Sequence, residues 1–233
     1  SISWRYMINK YKPIIKDRFK DDYFENRIGN DPLRSRQFKL DSRFIKRYVW
    51  GGNLCDVGCS TGEFIRAIKF PGVSYGMEIN DYAKDLASDV ISFEKNIFTD
   101  ELFFDLVVFR GTIQHVDEPF HMIKKTFSAL KPGGYVVFLA VPNSNSHFFR
   151  ATKTLPFLVQ HLNFYIPDDL TFPNALKNYG FTDIVVEHPY LDTPYVSFIA
   201  DHMKFIVNFL TRRMIFKHAF WKSSMSIVAR RPE

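Results

Sequence analysis

A chain of 233 residues with 46% hydrophobic and 24% charged residues can build one sizeable α/β domain, and its composition is too ordinary for a disordered or fibrous protein. Its two cysteines, Cys55 and Cys59, exclude a disulfide scaffold, and a lone pair at that spacing makes a poor zinc site, so no metal is expected. The formal charge of +6 hides an uneven layout: residues 1–50 carry +7, residues 51–193 carry −6 and residues 194–233 carry +5.

An aromatic share of 17%, with 25 Phe, points to a greasy pocket or an apolar contact surface. No apolar run reaches transmembrane length and no signal peptide opens the chain, which with the free thiols leads to a cytoplasmic expectation. The chain opens at Ser1 rather than Met, so a trimmed N-terminus stays open.

Residues 4–28 mix aromatic and basic positions and end in the turn Ile28-Gly29-Asn30-Asp31-Pro32. Residues 33–49 read as a helix with Phe38, Phe44, Ile45 and Val49 as its apolar positions, stopped by Gly51-Gly52. Strand and helix then alternate. Strand Asn53–Val57 leads to a helix over Thr61–Lys69, then strand Val73–Ile79, and Asn80 caps a helix running through Ala87. A short strand is expected around Val90–Phe93, and Phe104–Phe109 has the unbroken apolar character of a strand buried on both faces.

Glu118-Pro119 opens a helix with Phe120, Ile123, Phe127 and Leu130 on its apolar side, ending at a Lys131-Pro132-Gly133-Gly134 turn. Strand Tyr135–Val141 follows. Residues 143–165 read as irregular and aromatic, a cap over a pocket extending to about residue 170. Asp168 and Asp169 open a helix ending at Gly180, strand Phe181–Glu187 follows, and Ser224–Ala229 is the last strand. Between those two strands, residues 196–217 form a basic amphipathic helix, read most simply as their cover.

This order predicts a Rossmann-like, doubly wound, mostly parallel seven-stranded sheet with helices on both faces and an antiparallel last strand. Residues 1–50 form an N-terminal helical arm on a domain spanning 51–233. Ligands of such sheets bind at the carboxyl ends of the strands, near the switch point.

The stretch Leu54-Cys55-Asp56-Val57-Gly58-Cys59-Ser60-Thr61-Gly62-Glu63-Phe64 runs from strand through glycine turn to helix, where a ligand can approach backbone and meet free N–H groups. A dinucleotide fingerprint wants Gly at relative positions 0, 2 and 5; Gly58, Ser60 and Glu63 meet only the first, which disfavours an NAD-dependent oxidoreductase. The pattern acid-x-Gly-x-Gly-x-Gly fits Asp56, Gly58 and Gly62, with Ser60 as a small residue at the miss.

At this point the sequence resembles the class I S-adenosylmethionine-dependent methyltransferases, in a series of motifs in the right order over about residues 50–190. Gly76-Met77-Glu78-Ile79 looks like the end of the second strand, where the resemblance implies an acid holding both ribose hydroxyls. Asn96-Ile97 stands where the adenine is met, with an amide where an acid is common. Phe104-Asp105-Leu106-Val107 looks like the fourth strand, Arg110–Val116 the loop after it, Leu130–Gly134 the turn before the fifth strand, and Val141-Pro142-Asn143 that strand's end.

The resemblance implies S-adenosyl-L-methionine as donor, S-adenosyl-L-homocysteine as product, and Asp56, Gly58, Cys59, Ser60, Gly62, Glu78, Ile79, Asn96, Ile97 and Arg110 as donor-binding positions. Asp56 is expected to hold the turn's backbone more than the ligand.

His115 follows the fourth strand, and an unperturbed imidazole titrates near neutrality, which makes it the candidate base for a hydroxyl acceptor; packing and orienting its loop is the alternative role. His147, His161, Phe148, Phe149, Phe164 and Tyr165 lie in the cap and could line an acceptor pocket. Tyr23, Phe24 and Arg27 resemble a lid segment. The segment His161–Tyr165, Asp168–Leu170 and Tyr179-Gly180-Phe181 is similar to the subgroup that includes ubiquinone-type and polysaccharide-pathway O-methyltransferases, and no Asn-Pro-Pro-Tyr signature is present.

The expected acceptor is therefore a hydroxyl on a sugar, lipid-linked or metabolite scaffold, with an acidic one suited to the basic ends. A non-catalytic methyltransferase-like subunit is the alternative. Phe205, Ile206, Phe209 and Leu210 beside Lys204, Arg212, Arg213 and Lys217 also raise peripheral membrane contact, while no motif supports nucleic-acid binding.

Overall fold

A computed structural model describes residues 21–25, 31–153, 155, 158, 163–191, 193–212 and 221–233. The expected turn at Ile28–Asn30 and the positions Arg27, His161, Arg213 and Lys217 lie outside the described residues.

Helices α1 (Asp21–Glu25) and α2 (Pro32–Lys46) precede strand β1 (Gly52–Val57), helix α3 (Glu63–Ile68), strand β2 (Gly72–Met77) and helix α4 (Asp81–Ala87). Strand β3 (Phe104–Arg110), helix α5 (Pro119–Ala129) and strand β4 (Leu130–Pro142) follow. The chain continues through α6 (His147–Thr152), α7 (Thr171–Asn178), β5 (Thr182–Glu187), α8 (Phe198–Thr211) and β6 (Ser224–Arg230). The six strands form one sheet in the order β2-β1-β3-β4-β6-β5. β2, β1, β3 and β4 run parallel, and β6 is antiparallel to both β4 and β5.

Local chemistry sets the helix starts. Asp31 accepts from the N–H groups of Leu33 and Arg34 at 2.9 and 3.2 Å with Pro32 in the first turn, and Asn80 accepts from Ala83 N–H at 2.9 Å. The central strands are buried on both faces. From β3, Val107 and Phe109 join Val136, Phe138, Ile123 and Leu176 on the α5–α7 side. Leu106 and Val108 join Val137, Ile45 and Phe64 on the α2–α3 side. Each such side chain contributes about 1.5–3 kcal/mol on burial, so the double-faced core is the main source of stability.

Several expectations need correction. The seventh strand is reduced to a single bridge, Ser92 to Tyr75, held by Ser92 N–H to Ser74 O at 2.9 Å and Gly76 N–H to Ser92 O at 3.0 Å. The chain turns away after it, because Asn96 N–H goes to the Asp100 carboxylate at 3.0 Å instead of to the sheet. Leu130–Gly134 is no separate turn: it opens β4, where a register shift between Phe104 and Leu106 absorbs the extra residues. Asp105 fastens this end of the sheet, accepting from Asn53 N–H at 2.7 Å and from the Lys131 ammonium at 2.8 Å. A Cβ on Gly52 (φ +87) would fall 2.3 Å from that carboxylate.

Helix α2 is lashed to the opposite, carboxyl end. Arg110 Nε, the last residue of β3, donates to Asp41 Oδ2 at 2.8 Å, and Gln37 Nε2 donates to Asp41 Oδ1 at 2.8 Å. The Arg110 guanidinium lies 4.4 Å from the centre of the Phe38 ring. Asp41 is buried, so deleting it strands the arginine charge. Asp41→Ala is expected to cost about 3 kcal/mol in urea unfolding. Asp41→Leu combined with Arg110→Met should recover part of that loss; a double variant as unstable as the sum of its single changes would deny the coupling.

Candidate active site

A cavity of about 1190 Å³ runs along the carboxyl edge of the parallel strands. Gly58 and Ser60 line it after β1, Glu78 and Ile79 after β2, Arg110 to Asp117 after β3, and Ser223 and Ser224 at the start of β6. Its outer wall comes from Tyr23 and Phe24 of α1, from Arg34, Gln37 and Asp41 of α2, and from the segment Pro189–Lys204. Among the described residues, none of 143–170 lines it: Phe148, Leu155 and Leu158 pack into a small cluster of their own, and Tyr165 sits in the main core.

The glycine turn is built by backbone geometry. Gly58 and Gly62 have φ +77, and Ser60 adopts φ +53, a left-handed conformation uncommon for a residue with a Cβ. That is why glycine suits the central position that Ser60 occupies. A Cβ on Gly58 would lie 2.6 Å from the Thr112 side chain, so the turn after β1 and the loop after β3 are mutually close-fitting.

The turn's donors are largely taken. Gly58 and Cys59 N–H go to Met77 O at 2.7 and 3.2 Å, Gly62 N–H to Cys59 O at 3.0 Å, and Ser60 N–H to Glu78 Oε2 at 3.0 Å. These four groups are therefore bonded within the protein, while helix α3 opens after Gly62 with no side-chain cap.

Glu78 is the hinge of this corner. Its carboxylate accepts from the N–H groups of Ser60, Ile79 and Asn80 at 3.0, 2.7 and 3.1 Å while still lining the cavity. A carboxylate offers about four acceptor positions, so capacity remains for a ligand hydroxyl.

Of the positions singled out in the sequence, Gly58, Ser60, Glu78, Ile79, Asn96, Arg110 and His115 all line the cavity. Asp56, Cys59, Gly62 and Ile97 do not. Cys59 and Ile97 are buried, and Gly62 backs onto Ala87 and Val90. Asn96 shapes its loop by accepting from Phe98 N–H at 2.9 Å. Burial raises both thiols, Cys55 and Cys59, well above their ordinary range, so they are inert packing groups.

Sequence reasoning missed Gln37, Tyr190, Tyr195 and Ser223. They are distant in the chain and carry no motif. The signal that finds them is polar satisfaction. Seven buried side-chain oxygens among the described residues have no hydrogen-bond partner, and those of Gln37, Ser60, Gln114, Tyr190 and Ser223 belong to cavity-lining residues. Orphaned buried oxygens are costly and rare, so their concentration here fits a polar ligand that completes them. His115 sits on a short 3-10 turn (Ile113–His115), with its N–H donating to Thr112 O at 2.7 Å. That turn is braced where the Gln114 carbonyl accepts from Phe164 and Tyr165 N–H.

Asp56 lies under the turn, 2% exposed, with Oδ1 among the orphans. Burial pushes its carboxyl from 3.8 up to about 7; the Arg110 guanidinium pulls against that rise and Glu78 adds to it. Between these two values the folded state holds a proton that the unfolded chain has released. The group therefore costs progressively more stability as pH rises from about 4 to about 7, and no more above that. Asp56→Asn is expected to raise the melting temperature at pH 8 and to leave it nearly unchanged at pH 4; an equal effect at both would refute the buried, protonated carboxyl.

The profile of the family described as "Methyltransferase domain" matches residues 9–186. The chain is 27% identical over 154 residues to Phosphoethanolamine N-methyltransferase 1 of Arabidopsis thaliana, covering 59% of this chain and 30% of that one. It spans between 30% and 45% of the length of the curated relatives it matches. Among solved structures, a Thermotoga maritima protein described as a SAM-dependent methyltransferase, possible histamine N-methyltransferase, superposes with a TM-score of 0.61 at 17% identity, over 93% of this chain and 98% of that one. Haemonchus contortus phosphoethanolamine N-methyltransferase 2 in complex with S-adenosyl-L-methionine gives a TM-score of 0.59 at 16% identity, over 94% of this chain and 60% of that one.

Proposed function

The chain belongs to the methyltransferase-domain family, and from that premise we propose that it moves the methyl group of S-adenosylmethionine to a hydroxyl of a small-molecule acceptor. The observation that carries the reading is the single cavity spanning the sheet edge. The glycine turn and Glu78 stand on its β1–β2 side, and His115, Gln114, Tyr190 and Ser223 stand beyond β3. About 1190 Å³ exceeds the roughly 300–1,000 Å³ of an ordinary small-molecule site, which leaves room for a donor and an acceptor together.

The Glu78 carboxylate accepts a ribose hydroxyl at its one remaining acceptor position, as a charge-assisted bond. Phe93, Asn96 and Phe98 flank the adenine, and Gly58 with Ser60 lets the amino-acid end approach the backbone. Asp56, Cys59, Gly62 and Ile97 support that surface from behind. The bound donor supplies an electrophilic methyl group on a sulfonium. The protein's contribution is alignment, which is worth about 7–11 kcal/mol when two reactants are held in line. His115 takes the acceptor hydroxyl's proton, and Tyr23 and Phe24 of the N-terminal arm close the wall against water.

An amine acceptor is the second reading, favoured by relatives named as phosphoethanolamine N-methyltransferases. An amine already neutral at working pH needs less of His115.

Two measurements test these readings. In a melting scan, adenosylmethionine and adenosylhomocysteine at 100 times their dissociation constants should each stabilise the chain by about 2.7 kcal/mol, whereas NAD should not. Glu78→Ala should remove most of that shift. A shift with NAD alone would overturn the donor assignment. With methyl-labelled donor and pools of hydroxylated and aminated metabolites, label should enter the small-molecule fraction; label found only in RNA or protein would overturn the acceptor class. His115→Ala should lower turnover by about 10²–10⁴-fold for a hydroxyl acceptor while the donor shift persists. Unchanged turnover would favour the amine.

A further inference from the structure

Helix α8 (Phe198–Thr211) is amphipathic in the wrong direction for a globular protein. Its two buried residues are polar: Asp201, 3% exposed, and Asn208, 8% exposed. Its apolar residues face outward, with Ile199 at 77%, Leu210 at 73%, Phe209 at 72%, Met203 at 56% and Phe198 at 55% exposure. At 3.6 residues per turn these positions, with Ile206, share one continuous face. The sequence expectation that α8 covers the last two strands is thereby corrected, since a covering helix would bury that face.

The inversion is built in. Asp201 accepts from Ser197 N–H at 3.0 Å, lies 3.7 Å from the Lys204 ammonium, and both residues line the cavity. The polar side is therefore committed to the site and the apolar side to the outside. Residues 194–233 hold seven Lys and Arg against two Asp and Glu, a net +5. Of these, Lys204 and Arg212 are on or next to the helix, and Lys222 follows an outward-facing Trp221 that is 60% exposed.

We propose that α8 is a docking surface for an anionic lipid bilayer, lying in the plane of its interface. Phe198, Ile199, Met203, Ile206, Phe209 and Leu210 enter the acyl boundary, and Arg212 and Lys222 meet the lipid phosphates. Fourteen residues make a helix of about 21 Å, too short to cross a hydrocarbon core of about 30 Å, so the helix lies on the membrane rather than through it. No helix among the described residues is long and apolar enough to cross a membrane. A second copy of the chain is the poorer occupant, because pairing two such faces brings the Arg212 end of each helix to a helix whose only acid, Asp201, is buried. An anionic surface satisfies the apolar face and the charge at once. Since Asp201 and Lys204 line the cavity from the other side of α8, docking holds the cavity wall against the bilayer surface.

Flotation of the full chain with vesicles tests this. With vesicles of equal parts phosphatidylcholine and phosphatidylglycerol at low salt, the protein should partition at least about 10-fold more strongly than with phosphatidylcholine alone. Phe209→Glu with Leu210→Glu should reduce that partition by at least about 10-fold with the melting temperature maintained. Arg212→Glu with Lys222→Glu, which leaves the apolar face whole, should abolish the preference for the anionic vesicles. The proposal is overturned if the unaltered chain floats with neither vesicle, or if neither variant changes its partition. It is also overturned if the chain is a dimer in solution that ignores vesicles and falls to monomers in the Phe209→Glu, Leu210→Glu variant, which would assign the face to a second copy.

Discussion

A strand buried on both faces can carry polar chemistry only at its ends. β3 has Leu106, Val107, Val108 and Phe109 fully buried, and β1 has Leu54 and Cys55 in the same state. Polar function is therefore displaced to the edges. At the amino edge Asp105 fastens β1 and β4, and at the carboxyl edge Glu78, Arg110 and Ser224 meet the cavity. An interior exception is Asp56 of β1, whose carboxyl burial drives toward its neutral form. The location of the site follows from this restriction before any motif is considered.

What the edge itself lacks is enclosure, and the cavity's outer wall is borrowed. The Asp41–Arg110 pair ties α2 to the end of β3, which places Gln37 and Arg34 over the cavity. The segment Pro189–Lys204 closes the far side. A β-bulge adds to the shaping: the β4–β6 register breaks between Phe138 and Val141, where Ala140 takes φ +53 and lines the cavity. These are tertiary contacts between parts far apart in the chain, and each places a polar group that the core could not hold.

Helix α8 divides two environments, the cavity on its polar side and the outside on its apolar side. Asp201 faces inward to the cavity while Phe209 and Leu210 face outward. The cavity that α8 faces is also lined by Tyr190 and Ser223, whose oxygens require polar company, so a polar side suits it there.

Much of the fold was legible in residue order alone. The apolar run Phe104–Phe109, the Asn80 cap and the Gly58–Gly62 turn name their own local structure, because strand burial, capping and positive φ are properties of a few adjacent residues. Glu78, directly after β2, and His115, in the loop after β3, were also legible as positions at the carboxyl edge, where both line the cavity. The failures share one cause. The strand expected at Val90–Phe93 shrank to one bridge, Leu130–Gly134 joined β4, and α8 turned its apolar face outward. Each of these depends on which partner the segment finds across the fold, and periodicity cannot say whether an apolar face meets protein, ligand or lipid. Local sequence determined the glycine turn and the strand ends around it. Only tertiary structure decided which distant side chains wall the cavity, because their hydrogen-bonding partners are set by packing rather than by neighbours in the chain.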